Sequence, residues 1–204
     1  MRTIERETQV ELVVERSRFI ALSFRLASAE EGKKKLKEAQ NHFPGATHFC
    51  YAFRLSEKEE FSSDGGEPVG SAGRPILSAL RHFDLFHTMV VVVRSFGGKK
   101  LGIRGLAEAY GEAARMVLQK SEFAECRREC LFLVEVDPQY ENLLINRLLA
   151  LARGKERLAL QGEGKFSLRD PEEKRESIQE ILARGQKEKK VWQFHEKEVW
   201  ACDT

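Results

Sequence analysis

The sequence predicts an α+β chain built as two domains, residues 1–124 and 125–204. Three observations carry this. Residues 8–15 and 18–26 alternate apolar and polar at a period of two, the mark of half-buried strands. Val90 to Val93 form an uninterrupted β-branched run, the mark of a strand buried on both faces, which breaks at Gly97-Gly98 and passes into a helical stripe. Beyond Lys120 the pattern restarts, so a second folding unit is expected to begin near residues 121–129.

Taken in order, Val10, Leu12 and Val14 make one face of the first strand. Ile20, Leu22, Phe24 and Leu26 make one face of the second, against Phe19, Ala21, Ser23 and Arg25. Ser28 followed by Glu31 reads as a capping box opening a helix that Pro44-Gly45 ends. Thr47 to Leu55 is a third strand, with Phe49, Tyr51, Phe53 and Leu55 opposed to His48, Cys50, Ala52 and Arg54. If helices cover only the aromatic side, the opposite face is open and carries Phe19, Arg25, His48 and Arg54. An aromatic among cations on a sheet is a surface on which RNA bases stack; an ordinary solvated face is the alternative.

Ser56 to Pro75 has no periodicity and is rich in Gly, Ser and Pro, a long loop of the kind that is usually functional or disordered. Asp64 and Glu67 offer two oxygens to a hard cation but no third, so no metal site is expected. Ser62, Ser63 and Ser71 lack the surroundings of a nucleophile elbow, and no catalytic residue is expected. Ile76 to Phe86 reads as a short amphipathic helix. In the next unit, Ile103, Leu106, Ala107, Tyr110, Ala113, Ala114, Val117 and Leu118 form one apolar face of a helix running to about Lys120.

The second unit reads as a strand at 129–136 with Leu131, Leu133 and Val134 buried, a helix opened by Asp137-Pro138, a hairpin of 155–161 with 163–169, a helix capped by Asp170 with Pro171 first, and a last strand at 191–201. That order, βαββαβ, is ferredoxin-like.

A net charge of +2 excludes a globally basic protein, so any contact with nucleic acid must be local. The first residues show no apolar signal region and no apolar run approaches a membrane span, so a cytoplasmic protein with no membrane association is expected. Cys50, Cys126, Cys130 and Cys202 form no CxxC pair, and reduced structural thiols are expected.

The candidate site follows from the strand–glycine turn–helix unit at 90–110. Glycines admit close approach of a backbone, and a helix start presents free N–H groups to an anion. The glycines match neither dinucleotide-binding nor P-loop spacing, and a tight turn with solvated lysines remains the other reading. The loop 63–75 also precedes a helix. If the two loops meet, Lys99, Lys100, Gly97, Gly98, Arg104, Arg74, Ser71 and Gly73 form an RNA- or anion-binding surface. Glu108, four residues after Arg104, is placed to pair with it.

Ser17 to Ala21 (SRFIA), His48 to Arg54 (HFCYAFR), Ser63 to Leu77 and Val90 to Tyr110 together resemble the IMPACT/YigZ family, whose loops run close to SDDGEPSGTAGRP and VVVTRYFGGIKLGxGGLVRAYxxA. The likeness covers residues ~8–120; the tail resembles, more loosely, the ferredoxin-like domain of bacterial members. The resemblance implies a first domain with the βββαβα two-layer sandwich of a small-subunit ribosomal protein domain, a fold shared with sugar and mevalonate-pathway kinases. It implies a non-enzymatic, translation-linked regulator that binds RNA, the ribosome or a translation factor, without a cofactor. A phospho-metabolite or nucleotide-dependent enzyme using the two loops as an anion pocket is the alternative, and a protein-interaction module a third. This chain departs from the pattern at Gly65, Val69, Ser71, Ser95, Arg104 and Glu108.

Overall fold

The computed structural model describes residues 1–151, 158–171 and 174–202. Two compact units are described, residues 1–125 and 126–202.

In the first unit, β2 (Thr8–Val14) and β3 (Ser17–Arg25) form a hairpin. Its two turn residues, Glu15 and Arg16, both take left-handed φ, 47° and 67°, the turn geometry that matches the right-handed twist of paired strands. The chain then forms α1 (Ala29–His42), in which Ser28 accepts from the Glu31 N–H and Glu31 from the Ala27 N–H. Next come β4 (His48–Arg54), β5 (Glu60–Ser63), α2 (Gly73–His82), β6 (Thr88–Ser95) and α3 (Gly102–Lys120). The sheet is antiparallel throughout, in the order β2-β3-β6-β4-β5. Its central strand is the valine run, buried on both faces as the composition requires. Strand β5 lies inside the stretch that reads as a plain loop. It is short, and its pairing of Phe61 with Phe53 is a cross-strand contact that periodicity does not reveal.

Helices cover both faces of this sheet. Helix α1 packs with Ile20, Leu22, Phe24, Met89, Val91 and Val93. Helices α2 and α3 pack on Phe19, Ala21, Cys50, Ala52, Val90 and Val92. The expected two-layer sandwich is therefore not what forms, and the expected open face is the wrong one. Phe19, Arg25, His48 and Arg54 do share a face, but it is the face under α2 and α3. Phe19 is fully buried edge-on against Tyr110, with ring centroids 5.1 Å apart. Arg54 is buried with its guanidinium 4.3 Å from the Phe86 ring and 3.3 Å from Glu60, while Arg25 and His48 are half-buried. The physical reason is size. Ala21, Cys50 and Ala52 are small and let helices approach closely, whereas Phe49, Tyr51 and Phe53 are bulky and stay half-buried beside α1. Burial of Val117 and Leu118 on α3 stabilises this layer by roughly 1.5–3 kcal/mol each.

Strand β1 (Arg2–Ile4) pairs with residues 123–125 at the start of β7 (Phe123–Val136). The second unit takes the rest of β7, then α4 (Pro138–Leu151), β8 (Leu158–Gly162), β9 (Lys165–Pro171), α5 (Arg175–Lys187) and β10 (Val191–Cys202), with sheet order β10-β7-β9-β8. Its core holds Phe132, Val134, Val136, Leu148, Phe166 and Ile178. Strand β7 thus buries Val134 as expected, but with Phe132 and Val136 rather than Leu131 and Leu133, which lie one residue out of phase on the other face. Asp170 and Pro171 end β9 rather than opening a helix. Residues 155–157 of the expected hairpin, and 172–173 of the expected helix, lie outside the described residues. Cys126 and Cys130 stand on β7. Cys50 is a free, buried thiol and Cys130 is buried, but Cys126 is disulfide-bonded, contrary to the expectation of reduced thiols. The antiparallel register sets residue 202 opposite it. Among the described residues no helix is long and apolar enough to cross a membrane.

Candidate functional site

The two glycine-rich loops are built for different ends. In the first, Asp64 reaches across its own loop. Its Oδ2 accepts from the Gly70 N–H at 2.8 Å, and its Oδ1 from the Ala72 and Gly73 N–H groups at 2.9 and 2.8 Å. The start of α2 is thereby filled by the chain's own carboxylate. Burial pushes the Asp64 pKa up, but the three N–H donors, with Arg74 nearby, outweigh it and hold it below the usual value. Ser71 is buried and donates to the Pro68 carbonyl at 2.7 Å, and a Cβ at Gly73 would meet Ser63 backbone at 2.8 Å. Ser71 and Gly73 are thus internal bracing, and both Asp64 oxygens are taken up by backbone N–H groups.

The second loop leaves its helix start open. Helix α3 begins after Leu101, which supplies no side-chain cap, and its first turn carries no acidic residue. Gly97 serves close approach, since a Cβ there would lie 2.0 Å from the Arg16 carbonyl carbon. Its N–H donates to Ser17 Oγ at 3.2 Å. Gly98 and Gly102 serve conformation, with φ of +88° and +73° in open space. Lys99 lies 2.8 Å from Glu15 and Arg104 3.0 Å from Glu108, so both cations are paired at the surface. Lys100 and Arg74 are exposed and without an acidic partner within ion-pair distance among the described residues.

Between the loops lies a cleft of about 360 Å³, lined by Glu67 and Pro68 from the first and by Phe96, Lys100, Leu101, Gly102 and Ile103 from the second, with Arg94 and Leu106 completing the wall. Its deep side is a buried polar cluster. Glu67 Oε1 accepts from Arg94 Nη1 at 2.6 Å and from the Tyr110 hydroxyl at 2.8 Å, with His48 Nε2 at 3.9 Å. Arg94 Nη2 reaches Ser17 Oγ at 3.4 Å, and its guanidinium lies 5.5 Å from both the Phe19 and Phe96 rings. Arg94 Nε is buried with no acceptor. Cys50 donates to the Asp64 carbonyl at 2.9 Å; burial, with Glu67 and Asp64 adding to it and Tyr110 and Arg94 opposing, leaves its thiol pushed up to about 12. Burial likewise raises Tyr110, whose neighbours Cys50 and Glu67 act in the same direction.

Sequence reasoning placed Lys100, Gly97 and Gly98 at this cleft or its turn, but it missed Arg94, Phe96 and Tyr110 and weighed Glu67 only as a metal ligand. A signal for Arg94 was present: an arginine continuing a strand buried on both faces needs a partner. Nothing local in the sequence says that Glu67, 27 residues earlier, is that partner.

The first unit is thus an α+β domain in which two glycine-rich loops bound a cleft at a helix start, with a buried Glu–Arg–Tyr cluster on its deep side. The chain belongs to the IMPACT family: residues 15–118 match its Impact N-terminal domain. It is 44% identical over 109 residues to an IMPACT family member from the pol 5′ region of Thermus thermophilus, covering 53% of this chain and 59% of that protein. It is 37% identical over 113 residues to the IMPACT family member YvyE of Bacillus subtilis, covering 54% and 52%. The chain spans about half the length of the curated relatives it matches. A solved structure described as the crystal structure of a hypothetical protein matches 97% of this chain and 95% of its own, with a TM-score of 0.67 at 23% identity, a likeness of fold alone.

Proposed function

We propose that this protein is a cytoplasmic, translation-linked regulator that acts by binding RNA or the ribosome, and that its first unit makes the contact at the cleft between the two glycine-rich loops. Residues 1–124 and 125–204 are its two domains, and the strand order β10-β7-β9-β8 supports a ferredoxin-like second one. Membership of the IMPACT family supports the link to translation. The observation that carries the binding reading is the contrast between the helix starts: that of α2 is filled by Asp64, and that of α3 is uncapped beside Lys100. The enzymatic alternative draws no support from Cys50 and Tyr110. Both hold their protons far above neutral pH, so neither is an ionised nucleophile.

Co-sedimentation with ribosomes over a salt series tests this. The wild type is expected to co-sediment at low salt and Lys100→Ala to lose most of that binding with its melting temperature unchanged. Absence of ribosome binding at low salt, or full binding by Lys100→Ala, would overturn the reading.

A further inference from the structure

Resting on that reading, we infer that the cleft takes a single nucleotide unit, with its phosphate at the start of α3 and its base against Phe96. The helix start supplies N–H donors and a partial positive charge, and Lys100 adds a full one. A second, independent mark is Arg94 in the floor. It lines the cleft, is 5% exposed, and its buried Nε has no acceptor among the described residues. The floor is not simply cationic. Glu67 balances Arg94, and its contacts with Arg94, Tyr110 and His48 all fall on Oε1, so Oε2 is left to accept from an amino or hydroxyl group of a ligand.

The rim argues for a ring as well as an anion. Phe96 is 48% exposed and Ile103 65%, both at the mouth of the cleft. A bare phosphate leaves these faces in water; a nucleobase covers them and stacks on the phenyl ring, as aromatic side chains hold bases without regard to sequence. The volume, about 360 Å³, lies at the small end of the range for small-molecule sites and suits one nucleotide rather than a duplex. The same chemistry is offered by a free mononucleotide and by one unstacked nucleotide of a single strand.

Isothermal titration of the full chain with adenosine 5′-monophosphate, ribose 5-phosphate and a short oligoadenylate separates these. Adenosine monophosphate is expected to bind, and Phe96→Ala and Lys100→Ala each to weaken it by about tenfold or more while far-ultraviolet circular dichroism stays unchanged. Ribose 5-phosphate is expected to bind more weakly than the nucleotide. An oligoadenylate that binds more tightly than the mononucleotide and competes with it assigns the site to a strand; equal affinities assign it to the free nucleotide. Equal binding of ribose 5-phosphate and nucleotide overturns the inference, as does indifference to Phe96→Ala or no binding at millimolar concentration. If ribosome co-sedimentation persists in those cases, the proposed function stands and only the nucleotide site falls.

Discussion

Replacing Asp64 by alanine removes one carboxylate from three backbone donors at 2.8–2.9 Å. A helix cap of this kind is worth ~1 kcal/mol, and hydrogen bonds to a charged group ~1.5–3 kcal/mol each when fully buried. Asp64 is only half-buried, so water takes up part of the loss, and about 3 kcal/mol is the expected cost. For a unit of this size that is a fall in melting temperature of roughly 10 °C by thermal circular dichroism. The pH dependence has a fixed sign. The folded pKa is depressed, so the stabilisation is fully present above the unfolded value of about 3.9 and is lost as pH falls through the folded pKa. The gap between wild type and Asp64→Ala should therefore be flat from neutral pH down to the unfolded value and close below it. A melting temperature unchanged within about 1 °C, or a gap that closes near neutral pH, would refute the assignment of Asp64 as the cap of α2.

Two further outcomes follow from the same geometry. Gly97→Ala, whose Cβ would sit 2.0 Å from the Arg16 backbone, should cost several times more stability than Gly98→Ala, which meets open space and carries only the strain of a φ of +88°, about 1 kcal/mol; urea unfolding compares them. Cys50, with its thiol pushed up to about 12, should resist alkylation at pH 8 in the folded protein and react on unfolding, as peptide mapping by mass spectrometry reads out; rapid labelling in the native state would mean the thiol is not sealed.

Periodicity revealed most of the strands and helices, because each has one strongly apolar face and sharp stops such as Pro44-Gly45. It did not reveal which sheet face the helices α2 and α3 would choose. Phe49, Tyr51 and Phe53 are the greasier row, and hydrophobicity alone assigns them to the core. Packing decided otherwise, because a close helix needs the small side chains of Ala21, Cys50 and Ala52 beneath it. Local glycine content pointed to the two loops, yet the deep side of the cleft depends on Glu67 meeting Arg94 and Tyr110 across 27 and 43 residues. Contacts of that span leave no periodic trace. The role of Asp64 has a local trace only in hindsight: an aspartate six to nine residues before the N–H groups it caps is too far for a simple N-cap.

The same pairings set how the protein can use its charge. Six cations stand as possible contributors around the two loops and the sheet: Lys99, Lys100, Arg104, Arg74, Arg25 and Arg54. Lys99 is met by Glu15, Arg104 by Glu108 and Arg54 by Glu60, and Arg25 is half-buried on the sheet away from the loops, which leaves Lys100 and Arg74 at the loops. The slope of log affinity against log salt counts the phosphates neutralised, at roughly 0.7 per contact for a single strand. A backbone-tracking mode that used every cation would give a steep slope. Two unpaired cations give a shallow one, of about 1–1.5. Affinity must then come mainly from the helix start, the Phe96 ring and the groups of the floor, which act on one nucleotide at a time and are insensitive to bulk salt. A steep measured slope would place the contact elsewhere on the chain, outside the cleft.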